Sequence, residues 1–456
     1  MSNDRPRRRS IFSGVMLILV GTLLLLAQLS PDIRLGRWFL DYWPVLLIVW
    51  GLAKLFDYAI ARRTGETPPR TLTGGMVFLL IVLICIGTGG SWLRDTVDRN
   101  PDLIELPEDV FGFGSEFSFS EEVAAKPPVK AGSLIKIHNY RGEISVHSEE
   151  TAEIKVVVKK TLRANDDAEA ERISKGVSVT VVEVPGGFEI KPELKEESYK
   201  RVRLDLEVRV PKSVSVEADT DRGGIQVSGI TGSVTANSYK GDVQIQSAGG
   251  DVRVDLKGGN VRVQNVQGGV RINGRGNDVE VTDVKGEAVI QGEFYGPIRV
   301  QNVGKEVHFL SQRTDLTIGS LPGRMEMGSG DLEVYDTPGN VLLTTRNKDI
   351  TLENVGGRVR IDNRHGNIQV RLKQPPKEEV DIANESGTVE LALPGKSSFE
   401  LVATSRQGDV ESEFQDPGLA STSDQRTNTL QGKVGAGRPR VQLKTTYGGI
   451  HIRKVD

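Results

Sequence analysis

A series of basic residues in the second half of the chain is the first group whose chemistry suggests a function. It comprises Lys257, Arg275, Arg313, Arg346 and Arg364. The interval between Lys257 and Arg275 is 18 residues, and Arg346 and Arg364 are separated by the same interval. Cations at a constant spacing can match the charges of a linear anionic polymer, such as a cell-wall glycan or lipopolysaccharide. The alternative is a solvated edge whose charge prevents edge-to-edge strand pairing.

Acidic residues form a second series, which comprises Asp315, Asp331 and Asp349. Each precedes a predicted strand, so three consecutive repeats would place the carboxylates close enough to repel each other or to share a cation. The alternative is that aspartate simply suits the turn before the strand. We expect no metal and no other cofactor, and the acidic series stays a weak candidate for a cation site.

Catalytic groups are not gathered in the sequence. The outward acids Glu280 and Glu333 fall three predicted coils apart, whereas polysaccharide-cleaving enzymes need neighbouring carboxylates. The five histidines have no obvious nucleophile partner, and the single cysteine, Cys85, lies in an apolar stretch. We therefore expect that the protein is not an enzyme.

The basic and acidic residues lie within a sequence repeat, and the fold of that repeat must position them. From Gly224 to Val370 an apolar–polar–apolar unit recurs about every 9 residues, and more faithfully every 18. The first strand of each unit holds apolar pairs from Ile225/Val227 to Ile368/Val370, and includes Leu316/Ile318. The second strand holds pairs from Val234/Ala236 to Val359/Ile361, and includes Met325/Met327.

All 34 of these positions are apolar. Alternation with a period of two is typical of strands with one buried face, and a fixed repeat indicates a solenoid. The sequence therefore predicts an all-β parallel β-solenoid, a single-stranded β-helix with about 18 residues per coil.

The composition changes near residue 92, which suggests several regions. We predict a transmembrane region at 1–92, with helices at about 11–29, 42–58 and 72–91. An acidic juxtamembrane linker follows at 93–131. The exported domain then has a β-rich N-terminal part (132–222, with a short helix at about 166–175 capped by Asn165), solenoid repeats (223–371) and a C-terminal β part and cap (372–456).

Positive charge near the apolar segments predicts the orientation. The N-terminal tail and the second loop are richer in arginine and lysine than the first loop, so both are expected in the cytoplasm. The C-terminal domain is then periplasmic or extracellular, and the bilayer is one partner. A rival interpretation makes Arg7–Leu29 a signal peptide. The net charge of −3 gives no indication of a nucleic-acid partner.

Two stretches of sequence resemble bacterial families. Residues 11–56, with SGVMLILVGTLLLLAQ and YWPVLLIVWGLAKL, resemble the LiaI–LiaF-like transmembrane region of envelope-stress proteins. Residues from about 133 to 455, with LDLEVRVPKSVSVEADTDRGGIQVSGITGSV, SGTVELALPGKSSFELVATSRQGDV and YGGIHIRK, resemble the putative-adhesin β-solenoid family of unknown function. The resemblance implies a surface or periplasmic domain linked to adhesion or envelope sensing.

Three functions follow as expectations. The first is a non-enzymatic adhesive or structural module at the cell envelope, anchored in the bacterial cytoplasmic membrane. The second is an envelope-stress sensor or regulator that acts through its transmembrane helices, and the third is an enzyme on polysaccharide. The expected partners are the lipid bilayer and either envelope polysaccharide or another membrane protein.

Overall fold

The computed structural model describes residues 115–124, 128–164, 166–194, 201–424 and 426–455. The predicted transmembrane helices at 11–29, 42–58 and 72–91 lie outside these residues, as does most of the predicted linker. Within the described ranges, no helix has the length and apolar character needed to cross a bilayer.

The described residues are almost entirely β-structure. The strands, in chain order, are β1 (Ser115–Ala124), β2 (Leu134–Arg141), β3 (Ile144–Glu149), β4 (Lys155–Ala164), β5 (Val177–Val184), β6 (Gly187–Leu194), β7 (Val202–Pro211), β8 (Ser215–Arg222), β9 (Ile225–Ser228), β10 (Val234–Lys240), β11 (Val243–Ala248), β12 (Val252–Leu256), β13 (Val261–Val266), β14 (Val270–Gly276), β15 (Val279–Val284), β16 (Ala288–Phe294), β17 (Ile298–Val303), β18 (Val307–Leu310), β19 (Asp315–Ile318), β20 (Leu321–Met327), β21 (Asp331–Thr337), β22 (Val341–Thr344), β23 (Asp349–Val355), β24 (Val359–His365), β25 (Ile368–Arg371), β26 (Val380–Ser386), β27 (Val389–Pro394), β28 (Phe399–Gln407), β29 (Val410–Ser412), β30 (Leu419–Asp424), β31 (Thr427–Val434), β32 (Arg440–Tyr447) and β33 (Ile450–Val455).

One helix, α1 (Asp167–Lys175), interrupts the strands between β4 and β5. The Asp166 carboxylate accepts a hydrogen bond of 2.7 Å from the backbone N–H of Glu169, the usual contact of a residue that caps a helix N-terminus. The predicted cap, Asn165, lies outside the described residues. Packing divides the chain into two compact units, and the larger one consists of Ser118–Thr161 and Ser174–Asp456.

The strands form two long sheets. Sheet A has the order β1-β4-β7-β3-β9-β11-β13-β15-β17-β20-β21-β23-β25-β27-β33-β29. Sheet B follows from its pairings as β5-β6-β2-β8-β10-β12-β14-β16-β18-β19-β22-β24-β26-β32-β28-β31-β30. Successive coils contribute one strand to each sheet, which is the arrangement of a β-solenoid.

Every one of the 34 predicted inward positions is buried between the sheets. Each lies in register with its counterpart on the next coil, as in the pairing of Val243 with Val261 and of Val261 with Val279. Adjacent strands in such a ladder lie about 4.8 Å apart, so the apolar side chains stack in continuous columns. The predicted β-solenoid and its buried residues are confirmed.

The direction of one coil was predicted wrongly. β19 runs antiparallel to β18 and β22, and β20 runs antiparallel to β17 and β21. The pair Leu316/Ile318 therefore belongs to sheet B and the pair Met325/Met327 to sheet A, the reverse of the prediction. An alternating strand buries the same side chains in either direction, so burial was predictable while direction was not.

Polar contacts hold the two turns of this reversed coil. At one turn the buried Lys348 ammonium donates to the carbonyl oxygens of Gly328 at 2.5 Å and of Ser329 at 3.4 Å. Burial lowers the pKa of Lys348, and the negative charge of Asp331 offsets part of that effect. At the other turn the hydroxyl groups of Thr314 and Thr345 share a hydrogen bond of 2.8 Å.

The first and last coils are inserted into the stack. β2 and β3 lie between the coil β6–β7 and the coil β8–β9, and all four pairings are parallel. At the other end β32 and β33 lie between β26–β27 and β28–β29, again with parallel neighbours on both sides. The coils that come first and last in the sequence are thus hydrogen-bonded along both edges, which opposes fraying from the chain termini.

We predict that Val261→Asp disrupts the stack. Val261 is 1% exposed, so an unpaired carboxylate there would cost several kcal/mol. The thermal midpoint of the β-sheet circular dichroism signal should fall by roughly 10 °C in detergent-solubilised full-length protein. The control is Gln244→Asp, which adds the same group to an exposed position of the neighbouring strand β11. Equal midpoints for the two variants would contradict the inward orientation.

Candidate ligand-binding groove

A groove with a volume of about 950 Å³ lies along the outer face of sheet B, where β2, β8, β10, β12 and β14 end. The parallel registers of these five strands bring side chains that are distant in sequence onto adjacent strands. The groove is therefore a product of strand stacking, and three layers of side chains build it.

The floor of the groove is a row of polar side chains. Its members, one from each strand, are His138, Asp219, Asn237, Asp255 and Asn273. His138 Nδ1 lies 3.1 Å from Asp219 Oδ2, and Asn237 donates to the other oxygen of the same carboxylate. Asp255 accepts from Asn273 Nδ2 at 2.9 Å and from Arg253 Nε at 2.7 Å. Both carboxylates are therefore held in fixed orientations, and their negative charge is partly compensated.

Two tyrosine side chains stand at the rim. Tyr140 is 43% exposed and Tyr239 is 52% exposed, so both rings are accessible from solvent. They lie at equivalent ends of β2 and β10 with β8 between them, which separates them by about 10 Å. The Lys257 ammonium lies 4.9 Å from the centroid of the Tyr239 ring, within the range of a cation–π contact.

Positive charge collects beside the tyrosines. Lys240, Arg222 and Arg141 share one register position on β10, β8 and β2. Lys257 and Arg275 continue the rim on the next two strands. Within the described part of the chain, Lys240, Lys257 and Arg275 form no ion pair, whereas Arg253 pairs with Asp255 of the floor. The rim is therefore mainly positive, although Asp221 on β8 also lines the groove, and the negative charge of the two floor carboxylates is only partly compensated.

Two polar side chains on β2 and β8 lie behind the groove and point into the space between the two sheets. Asn139 and Thr220 are 4% and 5% exposed and are register neighbours on β2 and β8. Asn139 Nδ2 donates to the Leu204 carbonyl oxygen at 2.7 Å. Asn139 Oδ1 and Thr220 Oγ1 have no hydrogen-bond partner among the described residues, although most buried polar atoms are paired.

The five residues of the predicted basic series all lie at the same end of the strands of sheet B, but they do not form one uniform row. Lys257 and Arg275 belong to the groove, and Glu293 follows Arg275 in register. Arg313 lies in the turn between β18 and β19. Arg346 and Arg364 follow on the far side of the reversed coil, beyond the groove.

Sequence reasoning missed other residues in and beside the groove. Arg222 precedes Lys240 by 18 residues, so extension of the repeat by one coil would have found it. Tyr140 and His138 carried no comparable signal, because β2 enters the stack 81 residues before its neighbour β8. Only the inserted position of β2 brings these two residues to Tyr239.

The predicted acidic series is wrong for one of its members. Asp331 and Asp349 are register neighbours on sheet A, but Asp315 lies on sheet B, 3.1 Å from His308 Nε2. The cause is the reversed coil, which exchanges the sheets of β19 and β20. Within the described ranges, no group of three or more histidine, cysteine, aspartate or glutamate residues could hold a metal ion.

The acidic positions instead belong to a ladder of turn hydrogen bonds. Asp349 Oδ1 accepts from the backbone N–H of Asn367 on the next coil at 2.7 Å. Asp242 accepts in the same way from Asn260 at 2.8 Å. An Asx oxygen thus satisfies a backbone donor at the corner before a strand of sheet A, which is the structural role expected of such residues.

The reversed coil also brings together two carboxylates that the sequence assigned to different rows. Glu326 on β20 lies directly opposite Glu333 on β21. Glu326 pairs with Arg299 Nε at 3.0 Å, and Glu333 accepts from the Tyr335 hydroxyl at 3.0 Å. Both project from the outer face of sheet A, where water competes for each contact. Their partners and exposure differ from the enclosed carboxylate pair of a glycosidase.

The structure is a β-solenoid with a polar, tyrosine-edged groove, and comparison with known families agrees with the β-solenoid class. Residues 133–453 match the model of the family described as Toastrack DUF4097, and residues 12–96 match the LiaF transmembrane domain. Because the first match spans most of the chain, this protein belongs to the Toastrack DUF4097 family.

Other comparisons are more distant. A structure described as a putative cell adhesion protein from Clostridium sporogenes ATCC 15579 has 8% identity and a TM-score of 0.17, and covers 74% of this chain and 100% of its own. A putative adhesin from Bacteroides fragilis NCTC 9343 has 8% identity and a TM-score of 0.26, and covers 75% of this chain and 98% of its own. No curated protein matches the chain.

We predict that Asp349 stabilises the fold as a hydrogen-bond acceptor and not as a metal ligand. Asp349→Ala should reduce the free energy of unfolding by about 1 kcal/mol, because the N–H of Asn367 loses its partner. Asp349→Asn retains an acceptor and should recover most of this loss. Thermal unfolding with and without calcium measures both effects. A large calcium shift in the wild type that Asp349→Asn abolishes would instead indicate a cation site.

Proposed function

We propose that this protein is a non-enzymatic adhesive or structural module of the cell envelope. Its solenoid presents a binding surface outside the cytoplasm, and its N-terminal helices anchor it in the cytoplasmic membrane. The observation that carries the proposal is the combination of the LiaF transmembrane match at residues 12–96 with a stack whose first and last coils are both inserted between others.

The inserted coils support a role in which the domain resists disruption. A strand with two hydrogen-bonded neighbours must break both ladders before it leaves the sheet. The parallel pairings of β2 and β8, for example, continue from Leu134 to Arg141. The chain has a single cysteine, Cys85, so it cannot form an internal disulfide. Many domains outside the cell are stabilised by disulfides, and this domain must rely on backbone pairing instead.

The surface chemistry supports binding more than catalysis. The acids on the groove floor, Asp219 and Asp255, are each committed to hydrogen bonds with neighbouring side chains. The pair Glu326 and Glu333 is similarly engaged by Arg299 and Tyr335. A catalytic acid normally stands in an enclosed site that shifts its pKa, and these exposed faces offer no comparable burial.

The orientation proposed from the sequence has a direct test. In a Cys85→Ala background, Thr422→Cys on the exposed strand β30 should react with a membrane-impermeant maleimide in intact cells or spheroplasts. Ser10→Cys in the N-terminal tail should react only after permeabilisation, because a multi-pass anchor places it in the cytoplasm. Reaction of Ser10→Cys before that of Thr422→Cys would reverse the proposed orientation.

The alternative is an envelope-stress regulator that acts through its transmembrane helices. The match to a LiaF transmembrane domain favours it, since any apolar helix could serve as a simple anchor. The two functions differ in where the specific contacts lie. An adhesive module depends on its solenoid, whereas a regulator depends on contacts made by its helices within the membrane.

Exchange of the anchor separates the two functions. We expect that replacing residues 1–92 with an unrelated spanning helix of the same orientation leaves adhesion to envelope-coated surfaces within about twofold of wild type, as binding energy would lie in the solenoid. Adhesion of whole cells and induction of the envelope-stress response are measured in parallel. Val261→Asp serves as the control in which the anchor is native and the stack is disrupted. The regulatory function would be supported instead if the wild type does not adhere and the exchange abolishes induction of the envelope-stress response.

A further inference from the structure

We propose that the groove on sheet B binds an acidic glycan, a chain of sugar rings that carries carboxylate or phosphate groups. This inference rests on the proposed function, because the groove meets such a polymer only if the domain lies outside the cytoplasm. Three features of the groove lead to it: the floor, the tyrosines and the basic rim.

The floor suits a ligand rich in hydroxyl groups. A hydroxyl group can donate to a carboxylate and accept from an amide N–H at the same time. The row from Asp219 through Asn237 to Asp255 alternates these two kinds of group on adjacent strands.

The tyrosines suit the faces of sugar rings. The C–H bonds of a pyranose face form an apolar surface that packs on an aromatic ring, while the tyrosine hydroxyl stays in water. Tyr140 and Tyr239 are both substantially exposed and are separated by only one strand, β8. A linear chain that follows the stacking direction can therefore contact both rings at once.

The rim suits anionic groups on the same polymer. Lys240, Lys257 and Arg275 lie beside the tyrosines on three consecutive strands of sheet B, β10, β12 and β14, at or just beyond the ends of those strands. Charge-assisted hydrogen bonds from such groups to carboxylate or phosphate are stronger than neutral ones. Lys257 can contact an anion while its ammonium stays near the Tyr239 ring.

The floor also discriminates against other polyanions. The phosphodiester groups of a nucleic acid present acceptor oxygens, and these would face the carboxylates of Asp219 and Asp255 without a proton to donate. A sugar polymer avoids that repulsion because its hydroxyl groups meet the floor and its acidic groups meet the rim. The geometry therefore favours an acidic glycan over nucleic acid.

The test uses the full-length protein in detergent, immobilised, with four soluble polymers as probes. Polygalacturonate supplies carboxylates, phosphomannan supplies phosphates, dextran is neutral, and polyuridylate is a non-glycan polyanion. We expect binding of at least one of the two acidic glycans, with an affinity that falls as salt rises. Dextran and polyuridylate should bind at least about tenfold more weakly.

Two sets of variants locate the site. Tyr140→Ala with Tyr239→Ala, and separately Lys240→Gln with Lys257→Gln and Arg275→Gln, should each weaken glycan binding at least about tenfold. The matched controls are Tyr447→Ala, an exposed tyrosine on β32, and Arg346→Gln with Arg364→Gln, which lie at the same end of the strands of sheet B but outside the groove. Both controls should stay within about twofold of wild type.

Several outcomes would overturn the inference. These are no binding of either acidic glycan, equal binding of dextran, equal binding of polyuridylate, or loss of binding in the control variants to the same extent as in the groove variants. The anchor exchange gives an independent result for the proposed function. Adhesion that survives the exchange, together with a groove that binds no acidic glycan, would reject this inference alone.

Discussion

The structure depends on the pairing of each coil with the next through backbone hydrogen bonds, with aliphatic side chains stacked in the space between the two sheets. A strand of four to seven residues cannot bury its apolar face alone, so each coil is stable only against its neighbours. The columns formed by residues such as Val243, Val261 and Val279 supply the burial, and the parallel ladders fix the register. Both requirements are met at once only if every coil has nearly the same length.

The constant coil length leaves the residue types at outward-facing positions free to vary, but it restricts the residue types at the corners between strands. At the corners, Asx side chains such as Asp242 and Asp349 accept backbone donors from the following coil. Asn265, Asp283 and Asn354 adopt positive φ values of 57°, 57° and 59° one residue before a buried apolar residue, a conformation that Asn and Asp tolerate better than most residues. On the flat faces, side chains repeat every coil, so a groove several strands wide arises whenever neighbouring coils carry complementary groups.

The departures from the regular repeat give this solenoid its individual properties. The reversed coil from β19 to β20 exchanges the sheets of two strands while it keeps their side chains buried. The insertion of β2–β3 and of β32–β33 protects the terminal coils and brings distant residues into contact. The groove depends on the second effect, because His138 and Tyr140 reach Tyr239 only through the inserted β2.

The sequence by itself determined the class of fold, the identity of the buried residues and the length of a coil, because an alternating apolar pattern with a constant interval has only one efficient way to bury its side chains. It also indicated Lys257 and Arg275 as surface cations one coil apart. The tertiary structure decided the direction of the reversed coil, of which the shortened interval from Leu316 to Leu332 is a trace in the sequence. It also decided the separation of Asp315 from Asp331 and the order of the terminal coils. A strand pattern has the same period in both directions and does not specify which neighbour it pairs with, so these features depend on contacts between residues far apart in the chain.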